Sequence, residues 1–313
     1  MHNSPIVRLI AAAAILMQAA CGPGEVESPA TPSLELTASY DATANQHVFE
    51  ASTDTISAGW NTVRLVNASP AVHFALLQRL PEGRTVEHSI AEVGPVFQQA
   101  MDLINAGQMD SGFAALANLP AWYGEVVMMG GPGLVSPGGT SEVTLELEPG
   151  NYAIECYVKS AEGRFHSVMG MMKGLTVTAG RSTAAAPGAA TVTMQLTNEG
   201  FGIEGTLTPG RHTVAVTFAE PEPPLLGNDV HLVRLTDDVA IAAVTAWMDW
   251  SQPGGLVSTH DGVMPFQFLG GTHEMPMGAT AYFTVNLEPG RYAWISERSA
   301  QTPLYQEFTV EAP

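Results

Sequence analysis

Four side chains in the first half of the sequence have the types and the order to hold a soft metal ion. Cys156 closes an apolar run that follows Pro149-Gly150, His166 and Met171 come after it, and His73 stands earlier, behind the turn-like stretch Asn67-Ala68-Ser69-Pro70. Two imidazoles, one thiolate and a thioether as weak axial ligand form the donor set of a type 1 copper site, because soft sulfur suits Cu(I) and imidazole suits both oxidation states. Met169 is a rival for the axial place, although Met171 sits better in register with the strand expected at Leu175-Thr176-Val177. The thiol needs an explanation of its own. The chain has 2 cysteines, and if Cys21 is lipidated or cleaved away, Cys156 has no intramolecular partner in an oxidising compartment. Taken singly, the same residues fit a blander account. Cys156 is then a small buried hydrophobe, His73 and His166 make ordinary hydrogen bonds, and Met169, Met171 and Met172 fill core space.

The elements that must position these donors are read from an internal repeat. Gly130-Gly131, Pro137-Gly138 and Leu147-Glu148-Pro149-Gly150-Asn151-Tyr152-Ala153 recur as Gly270-Gly271, Gly278 and Leu287-Glu288-Pro289-Gly290-Arg291-Tyr292-Ala293, at a constant offset of 140 residues. Val72 to Leu80 matches Gly227 to Leu235 at an offset of 155, and Gly59 with Thr62-Val63 pairs with Gly210 and Thr213-Val214. Strands are expected at Thr62 to Val66, Val143 to Leu147, Tyr152 to Val158 and Leu175 to Val177, with counterparts at Thr213 to Thr217 and Phe308 to Val310. Another is expected to start at His73. Between Arg79 and Gly130 the period changes: Ile90, Val93, Phe97, Met101 and Ile104 recur at helical spacing, an insertion 15 residues longer than its counterpart, which holds a shorter helix near Asp238 to Trp250. The expected organisation is a signal peptide over 1–20, a flexible tether over 21–36, a first domain over 37–178, a linker over 179–190 and a second domain over 191–313.

The run from Tyr152 to Val177, ending Gly170-Met171-Met172-Lys173-Gly174-Leu175-Thr176-Val177, resembles the ligand loop of the cupredoxins of plastocyanin and pseudoazurin type. The four residues between His166 and Met171 agree with that spacing, while the nine between Cys156 and His166 exceed the family's. The chain is also similar to a family of exported bacterial cupredoxin-like proteins in which a His precedes a Leu-x-Arg-Leu-type strand, with Gly163-Arg164-Phe165-His166 carrying Phe where that family has Pro. The resemblance implies an all-β fold of two tandem cupredoxin-like Greek-key sandwiches, and copper as cofactor held by His73, Cys156, His166 and Met171. The second copy lacks the set, since Asn228 replaces His73, Ser296 replaces Cys156, and a final loop seven residues shorter brings Leu304 opposite Met171.

The remaining motifs narrow the function. Arg8, the apolar stretch Leu9 to Met17 and the small residues Ala19, Ala20 and Cys21 read as an export signal. Gln18-Ala19-Ala20-Cys21 resembles a lipobox, which places a lipid anchor on Cys21 and the protein in the periplasm or cell envelope. A net charge of −19 repels phosphate backbones, which argues against nucleic acid and suits a basic redox or copper-donor partner. No nucleophile elbow, P-loop or dinucleotide fingerprint occurs. Two-domain copper oxidases and nitrite reductases carry a His beside the copper-binding Cys, whereas Cys156 has Glu155 and Tyr157, so no enzyme of that kind is expected. His47, His88, His212 and His231 are scattered, and His273-Glu274-Met275-Pro276-Met277 reads as a loop matching Gly133 to Pro137. The long Cys156 to His166 loop suggests an exposed site, favouring copper handling over fast electron transfer. The alternative function is a metal-free envelope protein that uses both sandwiches as scaffold.

Overall fold

The computed structural model describes residues 33–221, 227–258 and 264–313. The tether, the signal stretch and Cys21 lie, wholly or in large part, outside them. The first half runs through β1 (Leu34–Asp41), β2 (Gln46–Ala51), β3 (Thr55–Asn67) and β4 (Leu76–Arg79). Its helical insertion follows, with α1 (Val86–His88), α2 (Gly94–Asn105) and α3 (Met109–Ala115), then β5 (Val127–Met128), β6 (Thr140–Leu147), β7 (Gly150–Glu155) and β8 (Met172–Arg181). The second half repeats the series with β9 (Val192–Leu196), β10 (Phe201–Gly205), β11 (Gly210–Phe218), β12 (Val230–Leu235), α4 (Ile241–Met248), β13 (Phe266–Thr272), β14 (Thr280–Leu287), β15 (Gly290–Ile295) and β16 (Tyr305–Val310).

Each half is a sandwich whose chain passes repeatedly between two sheets, an all-β Greek-key arrangement. In the second half β10-β9-β11-β14 faces β13-β12-β15-β16; in the first, β2-β1-β3-β6 faces β5-β4-β7-β8, with the long β3 also pairing β8. Period-2 alternation drives this layering: Val143, Leu145 and Leu147 on β6, and Ala281, Phe283, Val285 and Leu287 on β14, point inward and are buried. The registers of the two halves agree pair by pair. Gly59 stands opposite Leu147 as Gly210 stands opposite Leu287, and Arg79 opposite Tyr152 as Arg234 opposite Tyr292. Each buried tyrosine donates its hydroxyl to a carbonyl four residues back, Tyr152 to Glu148 at 2.7 Å and Tyr292 to Glu288 at 2.8 Å. The same glutamates take ion pairs from Arg79 and Arg234.

The two halves are docked by a nearly twofold junction. β6 and β14 pair antiparallel, Val143 opposite Phe283. Beside them Gly130 N–H bonds Glu274 O at 2.7 Å and Gly270 N–H bonds Leu134 O at 2.8 Å, while Gly133 N–H bonds Gly271 O and His273 N–H bonds Gly131 O. Exchanging each residue for its counterpart 140 positions away turns every one of these contacts into another on the same list of four. Gly131 and Gly271 let the junction segments lie close against the strands of their own halves. Their φ values are 136° and 139°, and a Cβ at either would stand 2.0 Å from a carbonyl oxygen, of Ala75 and Val230 respectively.

Three local expectations need correction. Ile90 is 51% exposed although Val93, Met101 and Ile104 are buried, because residues Ser89–Val93 form a π-helical turn that shifts the helical phase before α2 begins. β7 ends at Glu155, so Cys156 to Val158 belong to the following loop. His73 makes an isolated bridge with Val135 instead of opening a strand, and β4 starts at Leu76.

Candidate metal centre

His73, Cys156, His166 and Met171 come together at one end of the first sandwich, each 0% exposed. His73 Nδ1 lies 3.6 Å from Cys156 Sγ and 3.3 Å from His166 Nδ1. Two nitrogens bound to one ion at about 2.0 Å, with angles between about 109° and about 120°, stand about 3.3–3.5 Å apart, and a nitrogen and a sulfur at about 2.3 Å stand about 3.5–3.7 Å apart. Each of these two separations suits a pair of donors on one ion, and the set of ligand atoms lying within 4.8 Å of one another at this end of the sandwich is that of His47, His73 and His166. Ser69 orients the ring: its Oγ, which accepts Ala71 N–H at 3.1 Å, lies 2.9 Å from His73 Nε2. A proton on Nε2 donated to Ser69 leaves the Nδ1 lone pair facing the thiol. Met171 is locked to both neighbours through its backbone, accepting Cys156 N–H at 3.3 Å and donating to His166 O at 2.9 Å. Met169 is also buried, in the short 3-10 turn His166–Met169.

The length of the ligand loop has a structural use. Lys159 bridges to Phe165, Ser160 N–H bonds Arg164 O and Gly163 N–H bonds Ser160 O, so the extra residues fold into a small hairpin that returns His166 to Val158 O at 2.8 Å. The expected exposure of the site is therefore overturned: the hairpin, the insertion residues Met101 and Ile104 packed on Phe165, and the second half cover it. Lys159 Nζ reaches across to the carbonyls of Trp250 and Gln252 at 3.0 and 2.6 Å, and Ser258 Oγ accepts Val72 N–H at 2.8 Å. Burial pushes the Cys156 thiol up to about 12, so the sulfur keeps its proton at neutral pH unless a cation displaces it.

His47 is the residue that spacing could not find. It sits on β2, its ring stacked on that of His166 at 3.6 Å and 21°, and 5.2 Å from the His73 ring. Nitrogens of His47, His73 and His166 lie within 4.8 Å of one another. The faint signal was alternation, because His47 and Phe49 are the inward positions of β2. His231 leaves the scattered category, on β12, while His273 lies in a loop as expected; both are fully buried and gather with Asp229 at the junction.

Among the described residues, the corresponding place in the second half holds no comparable donors. Ser296 N–H bonds Leu304 O at 3.0 Å, as Cys156 N–H bonds Met171 O. Asn228 and Ser296 are both buried there. Ser296 Oγ donates to Asp229 at 2.8 Å.

No protein-family model matches the chain, and no curated protein matches it. Among solved structures the chain is similar to a dithionite-reduced auracyanin from Roseiflexus castenholzii, at 20% identity over 46% of this chain and 94% of that one, with a TM-score of 0.25. It is similar to auracyanin A, a "blue" copper protein from Chloroflexus aurantiacus, at 21% identity over 46% and 95%, with a TM-score of 0.27. It is also similar to a blue copper oxidase from Nitrosomonas europaea, at 12% identity over 88% and 84%, with a TM-score of 0.23.

Proposed function

We propose that this chain is an exported copper protein that carries electrons, with His73, Cys156 and His166 as equatorial ligands and Met171 as axial ligand. The observation that carries the reading is the convergence of His73 Nδ1 on both Cys156 Sγ and His166 Nδ1, at 3.6 and 3.3 Å. Copper bound there would supply one-electron redox chemistry. The residues do the rest. Ser69 holds His73 with Nδ1 turned inward, the Cys156 and Met171 backbones fix their sulfurs to one frame, and the His47 ring covers that of His166. A site enclosed on all sides favours a retained ion over one passed between proteins, so electron transfer is preferred here to copper handling. The acidic surface suits a basic redox partner. Export with lipidation at Cys21, a non-enzymatic role and an origin of the two halves by duplication belong to the same proposal.

The test is an absorption titration of the mature protein with Cu(II), beside Cys156→Ser. The expected result is one copper per chain with an intense visible thiolate-to-copper band that disappears in Cys156→Ser. Failure to bind either Cu(II) or Cu(I) stoichiometrically would sink the copper reading and leave a metal-free scaffold.

A further inference from the structure

The junction of the two halves buries ionisable side chains that the copper site does not use. Asp229 and His231 come from the start of β12, and His273 and Glu274 from the segment after β13; none is more than 6% exposed. The Leu134 amide donates to His231 Nδ1 at 3.0 Å, which leaves the ring proton on Nε2, 3.0 Å from Asp229 Oδ2. His231 is thus a positioning residue that aims Asp229. Asp229 Oδ1 is occupied by Ser296 Oγ and by Glu297 N–H, at 2.8 and 2.7 Å. Oδ2 keeps a second lone pair, and it faces His273 Nδ1 at 3.9 Å, which in turn is 3.4 Å from Glu274 Oε2. Neither ring nitrogen of His273 has a hydrogen-bond partner, and neither does Glu274 Oε2.

Leaving an imidazole and a carboxylate oxygen buried without hydrogen-bond partners is unfavourable in the absence of a compensating group. One cation placed at His273 Nδ1 would serve that nitrogen and Glu274 Oε2 together with Asp229 Oδ2, since donors about 2.1 Å from a shared ion stand about 3.0–4.0 Å apart, and ligand atoms of Asp229, His231 and His273 already lie within 4.8 Å of one another. Glu274 borders a cavity of about 270 Å³ that Glu155, Tyr157 and Glu297 also line, which offers room for water to complete a coordination shell. We infer that Asp229, His273 and Glu274 form a second metal site, for a divalent ion such as Zn²⁺ or Mn²⁺. One imidazole with carboxylates suits these ions better than Cu(I), which prefers sulfur. The counterparts in the first half are Phe74, Gly133 and Leu134, so the site belongs to the second half alone. It does not depend on the copper reading.

The test is a calorimetric titration of the full chain carrying Cys156→Ser with Zn²⁺ and with Mn²⁺, joined to X-ray absorption at the zinc edge. The expected result is one ion per chain, a shell of nitrogen and oxygen with a single imidazole and no sulfur, and affinity at least about tenfold weaker in His273→Gln and in Glu274→Gln, as loss of a ligand implies. The inference is overturned if neither ion binds stoichiometrically, if affinity is unchanged in both variants, or if the shell holds more than one imidazole: two would bring in His231 beside His273 in place of Glu274, and three would put the ion among His47, His73 and His166. Should the two Gln variants not fold, the imidazole count in the Cys156→Ser chain decides alone.

Discussion

Burial pushes Glu155 and Glu274 up to about 7 and Glu297 well above the usual carboxylate range. In the unfolded chain these groups release their protons near about 4.3, so between that value and their folded values the folded protein binds more protons, and stability falls as pH rises. His231 and His273 work in the opposite direction, because burial lowers both, His273 to about 4, and the unfolded chain then holds their protons up to about 6.5. Above that pH the carboxyls dominate, opposed only toward the upper end by Lys159, which burial lowers to about 8. The metal-free protein is expected to lose stability between pH 6.5 and pH 8, read from denaturant midpoints, and Glu155→Gln should flatten the slope; a rise across that interval would contradict the assignment. At this scale the sequence was half legible. Cys156, His166 and Met171 sit in one stretch whose spacing is a signal, and His73 stands behind a recognisable turn. His47, Asp229, His231 and His273 carry no spacing signal, because long-range strand pairing brings them together.

The strands were the most legible elements, because a half-buried sheet imposes alternation on any sequence that forms it. The corner built by Tyr152 and its twin at Tyr292 was visible as a repeated Leu-Glu-Pro-Gly-x-Tyr-Ala motif before its bonding was known. Each hydroxyl bonds a carbonyl of the preceding turn. Tyr152→Phe and Tyr292→Phe are each expected to cost about 1 kcal/mol in urea unfolding, with additive effects because the two corners share no partner. Unequal costs would show that the halves differ in more than their sites. The hairpin from Lys159 to Phe165 was illegible: it is too short to alternate, and its fold depends on Trp250 and Gln252 of the other half. The π-helical turn before α2 was missed for a related reason, since one residue of added phase is invisible to a periodic search.

At the scale of the whole molecule, the repeat predicted two similar halves, and the junction decides how they combine. Gly131→Ala and Gly271→Ala each drive a Cβ into a backbone carbonyl of the same half 2.0 Å away, which displaces the junction segment carrying it, and each is expected to cost about 3 kcal/mol or more and to broaden or split the thermal transition. A single unchanged transition would mean that the junction tolerates displacement. The near-twofold pattern of Gly130, Gly133, Gly270 and His273 contacts has another consequence. A contact that maps onto itself under exchange is self-complementary, so each half produced alone carries the edge needed to form a homodimer with its own copy. The linkage in one chain competes with that outcome by keeping the partner at high effective concentration. The unequal linings reinforce it: two first halves would meet through Phe74 and Leu134, whereas two second halves would crowd two copies of Asp229, His273 and Glu274 against one another. The mixed pair avoids that crowding, and the protein behaves as a heterodimer made within one polypeptide.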